Sequence, residues 1–224
     1  MMAKDKQYTG KDIKALSDRD HVRLRTQIYL GNTHPAEYWI PELTSDKFQI
    51  NKVEFIPAVY KAVGEIIDNS LDEFAQISSK IKLLKIEAQP EQGLYTISDN
   101  GRGVPIDKHE TGIPTPEVVF GQLRSGRNFS DEKEVGVIGQ NGVGSACTNF
   151  CSTDFEVTIY RDKKKYYQKF VDGANKVSKP KTSAIASSKT GTEVQFQLDP
   201  SVFKDVALPE EVIRNRAIEI AMTN

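Results

Sequence analysis

The chain has 224 residues, 38% of them hydrophobic, and its 30 basic and 31 acidic residues give a formal net charge of −1. This length and composition predict an ordinary buried core in one large domain or two small ones. The near-zero net charge argues against strong duplex-DNA binding by this segment alone, because that affinity depends on neutralising phosphates. We interpret the only basic run, residues 163–165, as a solvated turn or strand end.

Membrane proteins and zinc proteins are both disfavoured by the sequence. No apolar run approaches the thickness of a bilayer, and the polar, charged residues 1–14 do not form a secretory signal. We therefore expect an intracellular, cytoplasmic protein with no membrane partner. The only cysteines, Cys147 and Cys151, lack suitably spaced histidines for a zinc site, so we expect buried free thiols.

The N-terminal quarter of the chain carries few strong signals. Residues 1–20 are polar, and we expect them to form an arm that becomes ordered on another surface. Capping residues at 17–20 predict a short helix at 21–24. Residues 32–52 contain two prolines and the single tryptophan, and they predict either an irregular loop or a short hairpin.

An amphipathic helix is predicted from about residue 57 to residue 75, with Pro57 in its first turn. At about 100° per residue, its polar and apolar side chains separate onto opposite sides. The polar stripe consists of Glu65, Asp68, Asn69 and Asp72, and the apolar stripe consists of Val63, Ile66, Ile67, Leu71 and Phe74. A polar stripe with one basic neighbour, Lys61, suits a metal and a water molecule, although an acidic surface helix fits the same pattern.

Two strands are predicted next, at residues 83–88 and 94–98, with a turn at 90–93 between them. The second strand leads into the segment Asp99-Asn100-Gly101-Arg102-Gly103-Val104-Pro105. An Asn-Gly pair by itself predicts an ordinary turn. The two glycines would also let the backbone approach a ligand closely, with the acid at the strand end directed at the same place.

A second glycine-rich segment, residues 136–145, precedes a predicted helix at 146–151. Before it, the sequence predicts a short helix at 117–123 and a glycine- and charge-rich segment at 124–128, which we expect to be mobile. Glycines ahead of a helix N-terminus form a nest of N–H groups that suits phosphate. The spacing matches neither a Walker A loop nor a Rossmann fingerprint, so a phosphate site here would have another design.

The last third of the chain alternates between polar and apolar residues as strands do. The predicted strands are residues 155–161, 166–171 and 192–198. A serine-rich connection at 183–190 is expected to be flexible, and a final helix is predicted at 209–220. Because the chain stops soon afterwards, we expect it to be part of a longer protein.

Three motifs, in this order, carry a resemblance to a known family. The motifs are Glu65-x-x-Asp68-Asn69-x-x-Asp72, Asp99-x-Gly101-x-Gly103 and Gly139-x-x-Gly142-x-Gly144. Together they resemble the ATPase superfamily shared by gyrase B, Hsp90, histidine kinases and MutL, which is known as GHKL. Within it, residues 25–31 and 99–105 resemble type IIA topoisomerases. Residues 140–144 are closer to the T-even phage and eukaryotic forms than to bacterial gyrase.

The resemblance implies an α+β fold of the GHKL (Bergerat) type. This is a two-layer α/β sandwich in which helices cover one face of a mixed, mostly antiparallel sheet. Residues 21–224 would form the ATP-binding domain, with an arm at 1–20 and an ATP lid at about 121–144. The resemblance stops about where the family's ATPase subdomain passes into its transducer. The transducer, TOPRIM and DNA-cleavage domains are therefore expected to be absent from this chain.

The resemblance also implies roles for individual residues. Glu65 resembles the general base that polarises the attacking water. Lys61 would either assist this base or form a salt bridge to Glu65 or Asp68. Asn69 matches the ligand of Mg²⁺. Asp99 matches the carboxylate that accepts a hydrogen bond from the adenine amino group.

Further residues are implied around the base. Arg102 resembles the arginine that lies over the base and pairs with Glu73. Gly103 would let the backbone approach the nucleotide. Thr192 aligns with a threonine that shares the water network around the purine-binding carboxylate. Arg161 aligns with an arginine at the mouth of the pocket.

Contacts to the phosphates and to a partner protomer are implied as well. The amides of Gly142 and Gly144 would face the phosphates beneath the lid. Tyr8 matches the arm tyrosine that reaches into the site of a partner protomer. The other residues assigned to the pocket are Val104, Pro105, Gly139, Gln140, Asn141 and Val143.

The implied function is that of a type II DNA topoisomerase with ATP and Mg²⁺ as ligands. ATP would close a homodimer as an N-terminal gate for passage of a DNA duplex, with other topoisomerase subunits or domains as partners, in a bacterial or phage-infected cytoplasm. The chain alone is expected to bind ATP and hydrolyse it feebly, because the family's γ-phosphate-sensing lysine lies in the transducer. The alternatives are a MutL- or Hsp90-type clamp ATPase, a histidine-kinase-type phosphotransferase and a nucleotide-responsive binding module.

Overall fold

The computed structural model describes residues 9, 10, 13–43, 47–77, 82–125 and 142–223, and within them it contains a large sheet, a separate β-hairpin and seven α-helices. The helices are α1 (Asp18–Leu24), α2 (Thr26–Leu30), α3 (Pro57–Gln76), α4 (Thr115–Gly121), α5 (Gly144–Phe150), α6 (Pro200–Phe203) and α7 (Glu210–Thr223). The strands are β1 (Ala36–Leu43), β2 (Phe48–Phe55), β3 (Leu84–Gln89), β4 (Leu94–Asp99), β5 (Ser152–Arg161), β6 (Lys164–Val171), β7 (Lys176–Val177), β8 (Lys181–Ala184) and β9 (Gly191–Leu198). Among these helices, none combines the length and the apolar character that crossing a bilayer requires.

The large sheet has the strand order β3-β4-β9-β5-β6-β7, and β8 pairs with β6 on the same edge as β7. The α+β class is confirmed. All pairings between the described strands are antiparallel, so the sheet is more uniform than the mixed sheet that the resemblance implied. Because β4 and β9 run in opposite directions, the C-terminal end of β4 lies beside the N-terminal end of β9.

One face of the large sheet packs against helices and forms the hydrophobic core. In β5, Phe155, Val157 and Ile159 alternate inward and are fully buried. In α3, Ile66 and Ile67 are each 2% exposed. Each of these apolar side chains stabilises the fold by about 1.5–3 kcal/mol by leaving water. The predicted apolar stripe is therefore confirmed, and its burial fixes the rotation of α3 about its axis.

Most of residues 32–52 form regular structure and not an irregular loop. They contain most of an antiparallel hairpin in which β1 and β2 pair Ala36 with Phe55, so the hairpin alternative is the correct one. Tyr38 stacks on Phe55 with ring centroids 4.8 Å apart. Pro41 is tolerated because a two-stranded ribbon consists only of edges, where a missing N–H group costs little.

Several element boundaries differ from the prediction; for example, α1 begins at Asp18 rather than at residue 21, and α4 spans Thr115–Gly121 rather than 117–123. The serine-rich connection predicted at 183–190 is wrong at its start, because β8 extends through Ala184 and pairs with β6. Its backbone finds partners on the free edge of β6, and composition alone does not reveal such tertiary pairing. Helix α5 begins at Gly144 rather than at residue 146, so the last glycine of the second glycine-rich segment belongs to the helix.

The cysteines match their expected state. Cys147 lies in α5 and Cys151 directly follows it, and both are buried free thiols. Burial raises the pKa of both thiols, that of Cys151 to about 12. Because only the thiolate acts as a nucleophile or metal ligand, such thiols are inert at neutral pH.

The last helix, α7, is attached to α3 and to the hairpin. Arg216 Nη2 donates to Asp68 Oδ1 at 2.8 Å, and the two side chains are 25% and 12% exposed. The side-chain amide of Asn215 donates to the carbonyl of Pro41. The predicted polar stripe of α3 is therefore not uniform, because the Asp68 carboxylate binds another helix of the fold.

Replacing Arg216 with methionine is expected to lower the free energy of unfolding by about 2 kcal/mol, because it leaves the nearly buried Asp68 carboxylate without this partner. Urea denaturation at neutral pH measures the change. Arg214→Met is the control, since Arg214 is 50% exposed and pairs with Glu210 one turn away. Such exposed pairs contribute only about 0.3–0.5 kcal/mol. Equal losses in the two variants would contradict a structural role for the Asp68–Arg216 pair.

Candidate functional site

A cavity of about 970 Å³ opens between α3, the loop after β4 and the N-terminal end of α5. Every residue that the sequence assigned to the pocket, and that the structure describes, lines this cavity. These residues are Lys61, Glu65, Asn69, Glu73, Asp99, Arg102, Gly103, Val104, Pro105, Gly142, Val143, Gly144, Arg161 and Thr192. The remaining assigned residues, Tyr8, Gly139, Gln140 and Asn141, lie outside the described residues. The assigned residues thus share one cleft, while their individual roles stay predictions.

Glu65 lies on the wall that α3 contributes to the cleft. Lys61 Nζ is 2.5 Å from Glu65 Oε1, one helical turn away, and the Glu65 side chain is 20% exposed. Gly144, the first residue of α5, packs so closely on this carboxylate that a Cβ atom at residue 144 would overlap Glu65 Oε2. Glycine therefore lets the N-terminal end of α5 approach Glu65.

Asn69 lies one turn beyond Glu65 on α3. Its Nδ2 donates a hydrogen bond to Ser145 Oγ at 2.7 Å, which connects α3 to the second residue of α5. Because the nitrogen makes this bond, the carboxamide oxygen is left to serve a ligand, and Mg²⁺ prefers such oxygen donors. The Asn69 oxygen is therefore a donor of the type that fits a magnesium ion whose other ligands are phosphate and water oxygens. Ser145 was not predicted as a site residue, and its place at the end of the second glycine-rich segment was the only signal for it.

Asp99 is the last residue of β4, and three hydrogen bonds hold its carboxylate. The N–H groups of Gly101 and Thr192 donate to Oδ1 at 2.8 Å and 3.4 Å, and the Ser70 hydroxyl donates to Oδ2 at 3.3 Å. Burial nevertheless raises the pKa of the Asp99 carboxyl above its usual value. A carboxylate has about four lone-pair sites, so acceptor capacity remains for a donor on a ligand. No role was predicted for Ser70 from the sequence.

Arg102 and Glu73 form the pair that the resemblance implied. Arg102 Nε lies 2.7 Å from Glu73 Oε1, and Nη2 lies 3.0 Å from Oε2. The backbone N–H of Arg102 also donates to Oε1 at 2.9 Å. The Glu73 side chain is 14% exposed and the Arg102 side chain 54% exposed. The pair therefore fastens the loop after β4 to α3 while much of the guanidinium remains in solvent.

The other side of the loop after β4 is held by β5 and β9. Arg161 Nη1 donates to the carbonyl of Gly103 at 2.7 Å, and the Val104 N–H donates to Thr192 Oγ1 at 3.2 Å. Gly191 has a φ of +132°, and a Cβ atom there would overlap the carbonyl oxygen of the last residue of β4. Glycine at 191 thus lets β9 lie against the end of β4. Gly191, which immediately precedes Thr192, was not predicted as a site residue.

Replacing Gly191 with alanine is expected to lower the free energy of unfolding by about 2–3 kcal/mol, because the φ angle is strained for alanine and the added carbon displaces the end of β4. Chemical denaturation measures the loss. Gly64→Ala in α3 is the control, because open space surrounds its Cβ position. That change is expected to be neutral or to stabilise the protein by up to about 1 kcal/mol. Equal stability of the two variants would contradict the close approach at Gly191.

The predicted ATP lid, residues 121–144, is described only at its two ends, 121–125 and 142–144. The N–H of Ser125 donates to the carbonyl of Gly142 at 3.0 Å, so the two ends meet beside the cleft. The described residues 122–125 and 142–144 of the predicted lid line the cleft. Its role as a lid stays a prediction.

Comparison with known proteins identifies the family. Residues 56–202 match the family model described as histidine kinase-, DNA gyrase B- and HSP90-like ATPase. The chain is 34% identical over 224 residues to a subunit of DNA topoisomerase 4 from Mycoplasma capricolum, and the match covers 100% of the chain and 31% of that protein. It is 34% identical over 223 residues to DNA gyrase B of Treponema pallidum, covering 97% of the chain and 30% of that protein. The chain therefore spans less than a third of the length of these relatives.

Solved structures agree at the level of the fold. The ATPase region of Saccharomyces cerevisiae topoisomerase II superposes with a TM-score of 0.83 at 23% identity, covering 93% of this chain and 57% of that one. The ATPase and transducer domains of DNA topoisomerase II from Balamuthia mandrillaris give a TM-score of 0.85 at 21% identity, covering 96% of this chain and 58% of that one. The chain therefore belongs to the family of histidine kinase-, DNA gyrase B- and HSP90-like ATPases, and this membership implies that it binds ATP.

Proposed function

We propose that the chain is the ATP-binding domain of a type II DNA topoisomerase, in which nucleotide binding closes a homodimer around a DNA duplex. The family and the topoisomerase and gyrase relatives support this assignment. The observation that carries it is the single cleft lined by Asp99 at the end of β4 and by Glu65 and Asn69 on α3. Such a cleft can bind a purine through the Asp99 carboxylate. It can bind a triphosphate through a magnesium ion at Asn69 and through the N–H groups at the start of α5.

Asp99 is proposed to select the base. Gly101, Thr192 and Ser70 fix its carboxylate, and its remaining acceptor capacity suits an exocyclic amino group. Adenine presents an amino group where guanine presents a carbonyl oxygen. A carboxylate at this position therefore favours ATP over GTP. Arg102 would lie beside the base, where Glu73 holds it.

Glu65 is proposed to act as the general base for the water that attacks the terminal phosphate. A carboxylate within hydrogen-bond reach of a water molecule can take its proton as the new bond forms. Lys61 is bonded to Glu65 and would orient the carboxylate. The N–H groups of residues 142–144, at the start of α5, would donate to phosphate oxygens.

Asn69 is proposed to hold the magnesium ion that accompanies ATP. Ser145 binds the carboxamide nitrogen and so presents the oxygen to the ion. When bound, the ion would supply positive charge that offsets the negative charge of the phosphates. Glu65, one turn away on the same helix, remains free of this task and can serve the attacking water.

Calorimetric titration of the chain with ATP and with GTP, with and without Mg²⁺, tests the nucleotide assignment. We expect magnesium-dependent binding of ATP, with GTP weaker by at least about 100-fold because it would meet the carboxylate with an acceptor. Equal affinity for the two nucleotides would overturn the role of Asp99. Failure to bind either nucleotide would overturn the proposed function.

Assays on the longer protein that contains this chain test the topoisomerase assignment. We expect ATP-dependent relaxation, supercoiling or decatenation of duplex DNA. ATP hydrolysis with no change in DNA topology would favour a clamp ATPase of the MutL or Hsp90 type. Transfer of radiolabelled phosphate from ATP to a protein histidine would favour a phosphotransferase.

A further inference from the structure

Positive charge is concentrated in one part of the chain. Residues 161–190 contain nine basic and two acidic residues, which gives them a formal charge of +7. Because the whole chain carries −1, the rest of it carries −8. The near-zero net charge therefore conceals a strongly separated distribution. A local potential, rather than the total charge, governs which polyanion a surface can attract.

The sheet brings lysines from three segments onto one surface. Lys165 of β6 stands opposite Tyr160 of β5, and Lys181 of β8 stands opposite Tyr167 of β6. Directly opposed residues, and residues two apart on a strand, share one face of a sheet. Tyr166, whose side chain points the other way, is buried in the core. The side chains of Lys165 and Lys181 therefore lie on the outer face.

Two further lysines join this surface. Lys189 Nζ lies 3.7 Å from the centroid of the Tyr160 ring, and Lys165 Nζ lies 5.9 Å from it. Lys163 lies in the turn between β5 and β6, and its carbonyl accepts a hydrogen bond from the N–H of Ile185 just after β8. We call Lys163, Lys165, Lys181 and Lys189 with Tyr160 the basic edge.

The lysines of the basic edge are exposed, and within the described part of the chain no carboxylate lies within 4.0 Å of their ammonium groups. Lys169 of β6 provides the contrast, because its Nζ lies 2.5 Å from Asp154 Oδ1 and 2.9 Å from Glu156 Oε1. Lysines without acidic partners can neutralise phosphates without first breaking an ion pair. The DNA then releases cations that were condensed on those phosphates, and this release favours binding.

We propose that the basic edge binds the phosphate backbone of double-stranded DNA. This proposal deepens the proposed function and rests on it for the choice of partner. Duplex DNA carries about one negative charge per 1.7 Å of its axis, so an array of positive point charges can contact several of its phosphates at once. Alternate residues on a strand lie about 6.6 Å apart. This distance is close to two steps of about 3.4 Å between successive phosphates along the axis of one DNA strand.

The chemistry of the basic edge fits DNA better than an acidic protein. Protein interfaces are anchored by buried apolar or aromatic groups at their centre. Here the ring of Tyr160 lies beneath the ammonium groups of Lys165 and Lys189 and is not an uncovered apolar anchor. Lysine binds phosphate as a point charge and reads no base pattern. Binding at the basic edge is therefore expected to be independent of sequence and sensitive to salt.

Fluorescence anisotropy with a labelled duplex of about 30 base pairs, at about 50–200 mM KCl, tests the proposal. The variant Lys165→Gln/Lys181→Gln/Lys189→Gln removes three charges from the basic edge. We expect it to weaken DNA binding by at least about tenfold at the lowest salt. The slope of log K against log salt should fall by about 2–3, since each lost phosphate contact contributes about 0.9.

The matched control is Lys82→Gln/Lys85→Gln/Lys204→Gln, which removes the same charge from exposed lysines, two of them at or beside the opposite edge strand β3. The control is expected to retain DNA affinity within about threefold, because exposed charges beyond a Debye length are largely screened. Equal weakening in both variants, or an unchanged salt slope in the first, would overturn the proposal. Failure of the native chain to bind DNA at the lowest salt would overturn it as well.

Two further measurements distinguish DNA binding from binding of an acidic protein, and separate failure of this proposal from failure of the proposed function. Poly-glutamate should compete only weakly, and tighter binding of poly-glutamate than of DNA would assign the basic edge to an acidic protein instead. ATP titration of both triple variants should give the native affinity, which also shows that they are folded. Absence of DNA binding by a native chain that binds ATP refutes the basic edge alone, whereas absence of ATP binding in the native chain refutes the proposed function.

Discussion

Replacing Glu65 with glutamine in the longer protein that contains this chain is expected to lower the rate of ATP hydrolysis by about 10²–10⁴-fold while ATP affinity changes by less than about threefold. Glutamine has nearly the same shape, so it fills the space between Lys61 and Gly144. It cannot take a proton from the attacking water. The loss should therefore appear in the chemical step and not in binding. Single-turnover release of labelled phosphate, measured beside a calorimetric titration, separates the two quantities.

Glu87→Gln is the matched control for this change. Glu87 pairs with Lys85 at 2.8 Å as Glu65 pairs with Lys61, but both partners are 59% exposed on β3, and neither lines the cleft. Its hydrolysis rate is expected to match that of the native chain. Unchanged phosphate release in Glu65→Gln would show that Glu65 is not the base. ATP binding with no phosphate release by the longer protein that contains this chain would instead fit a nucleotide-responsive binding module.

Replacing Asp99 with asparagine is expected to weaken ATP binding by about 100-fold or more and to narrow or reverse the preference over GTP. The N–H groups of Gly101 and Thr192 and the Ser70 hydroxyl all donate to this side chain. The two N–H groups would bind the carboxamide oxygen of asparagine at the Oδ1 position, so its NH₂ group would take the Oδ2 position. There the Ser70 oxygen can accept from the NH₂ group, and there we expect the base to lie. That group repels the amino group of adenine and suits the carbonyl of guanine.

Asp205→Asn is the control for this second change. Asp205 is exposed, and its carboxylate also accepts a backbone N–H two residues ahead, from Ala207 at 2.9 Å, away from the cleft. The Asp205→Asn variant should bind ATP and GTP with the affinities of the native chain. If Asp99→Asn retained both its ATP affinity and its discrimination against GTP, the base would have to be read elsewhere.

The pH dependence of ATP affinity independently tests the role of Asp99. Because burial raises the pKa of this carboxyl, it takes up a proton at a higher pH than an exposed aspartate does. The protonated form loses an acceptor for adenine. The ATP affinity of the native chain should therefore fall as the pH decreases through this raised pKa. The Asp99→Asn chain, which is neutral at every pH, should lack that part of the decline.

Features that depend on local sequence were predictable. The polar and apolar stripes of α3 follow from a helical period, and the glycines around Asp99 follow from turn chemistry within a few residues. The three motifs kept their order and spacing, and this pointed to a known family. The structure then placed residues from all three motifs around one cleft.

Contacts between distant segments were not predictable. The hydrogen bond of Asn69 to Ser145 joins residues 76 positions apart, and the ion pair of Asp68 with Arg216 joins residues 148 positions apart. A helical period places a carboxylate on a polar face, but it does not tell whether that face meets a ligand or another helix. Gly191 likewise acquires its role only because β9 lies against the end of β4.

The charge distribution was a third case of this kind. Net charge argued against strong DNA binding. The basic run at 163–165 was interpreted as a solvated turn or strand end, which agrees with its position in the turn before β6 and in the first two residues of β6. The sequence did not show that β8 and Lys189 return to the same surface. Strand register, which depends on the whole sheet, creates the basic edge.

A crystal structure of the chain with Mg²⁺ and a non-hydrolysable ATP analogue tests the central claim most directly. We expect the nucleotide in the cleft between α3 and the start of α5, with the adenine amino group bonded to Asp99 and the Asn69 oxygen bound to the metal. A nucleotide bound elsewhere, or an Asp99 carboxylate turned away from the base, would contradict the account.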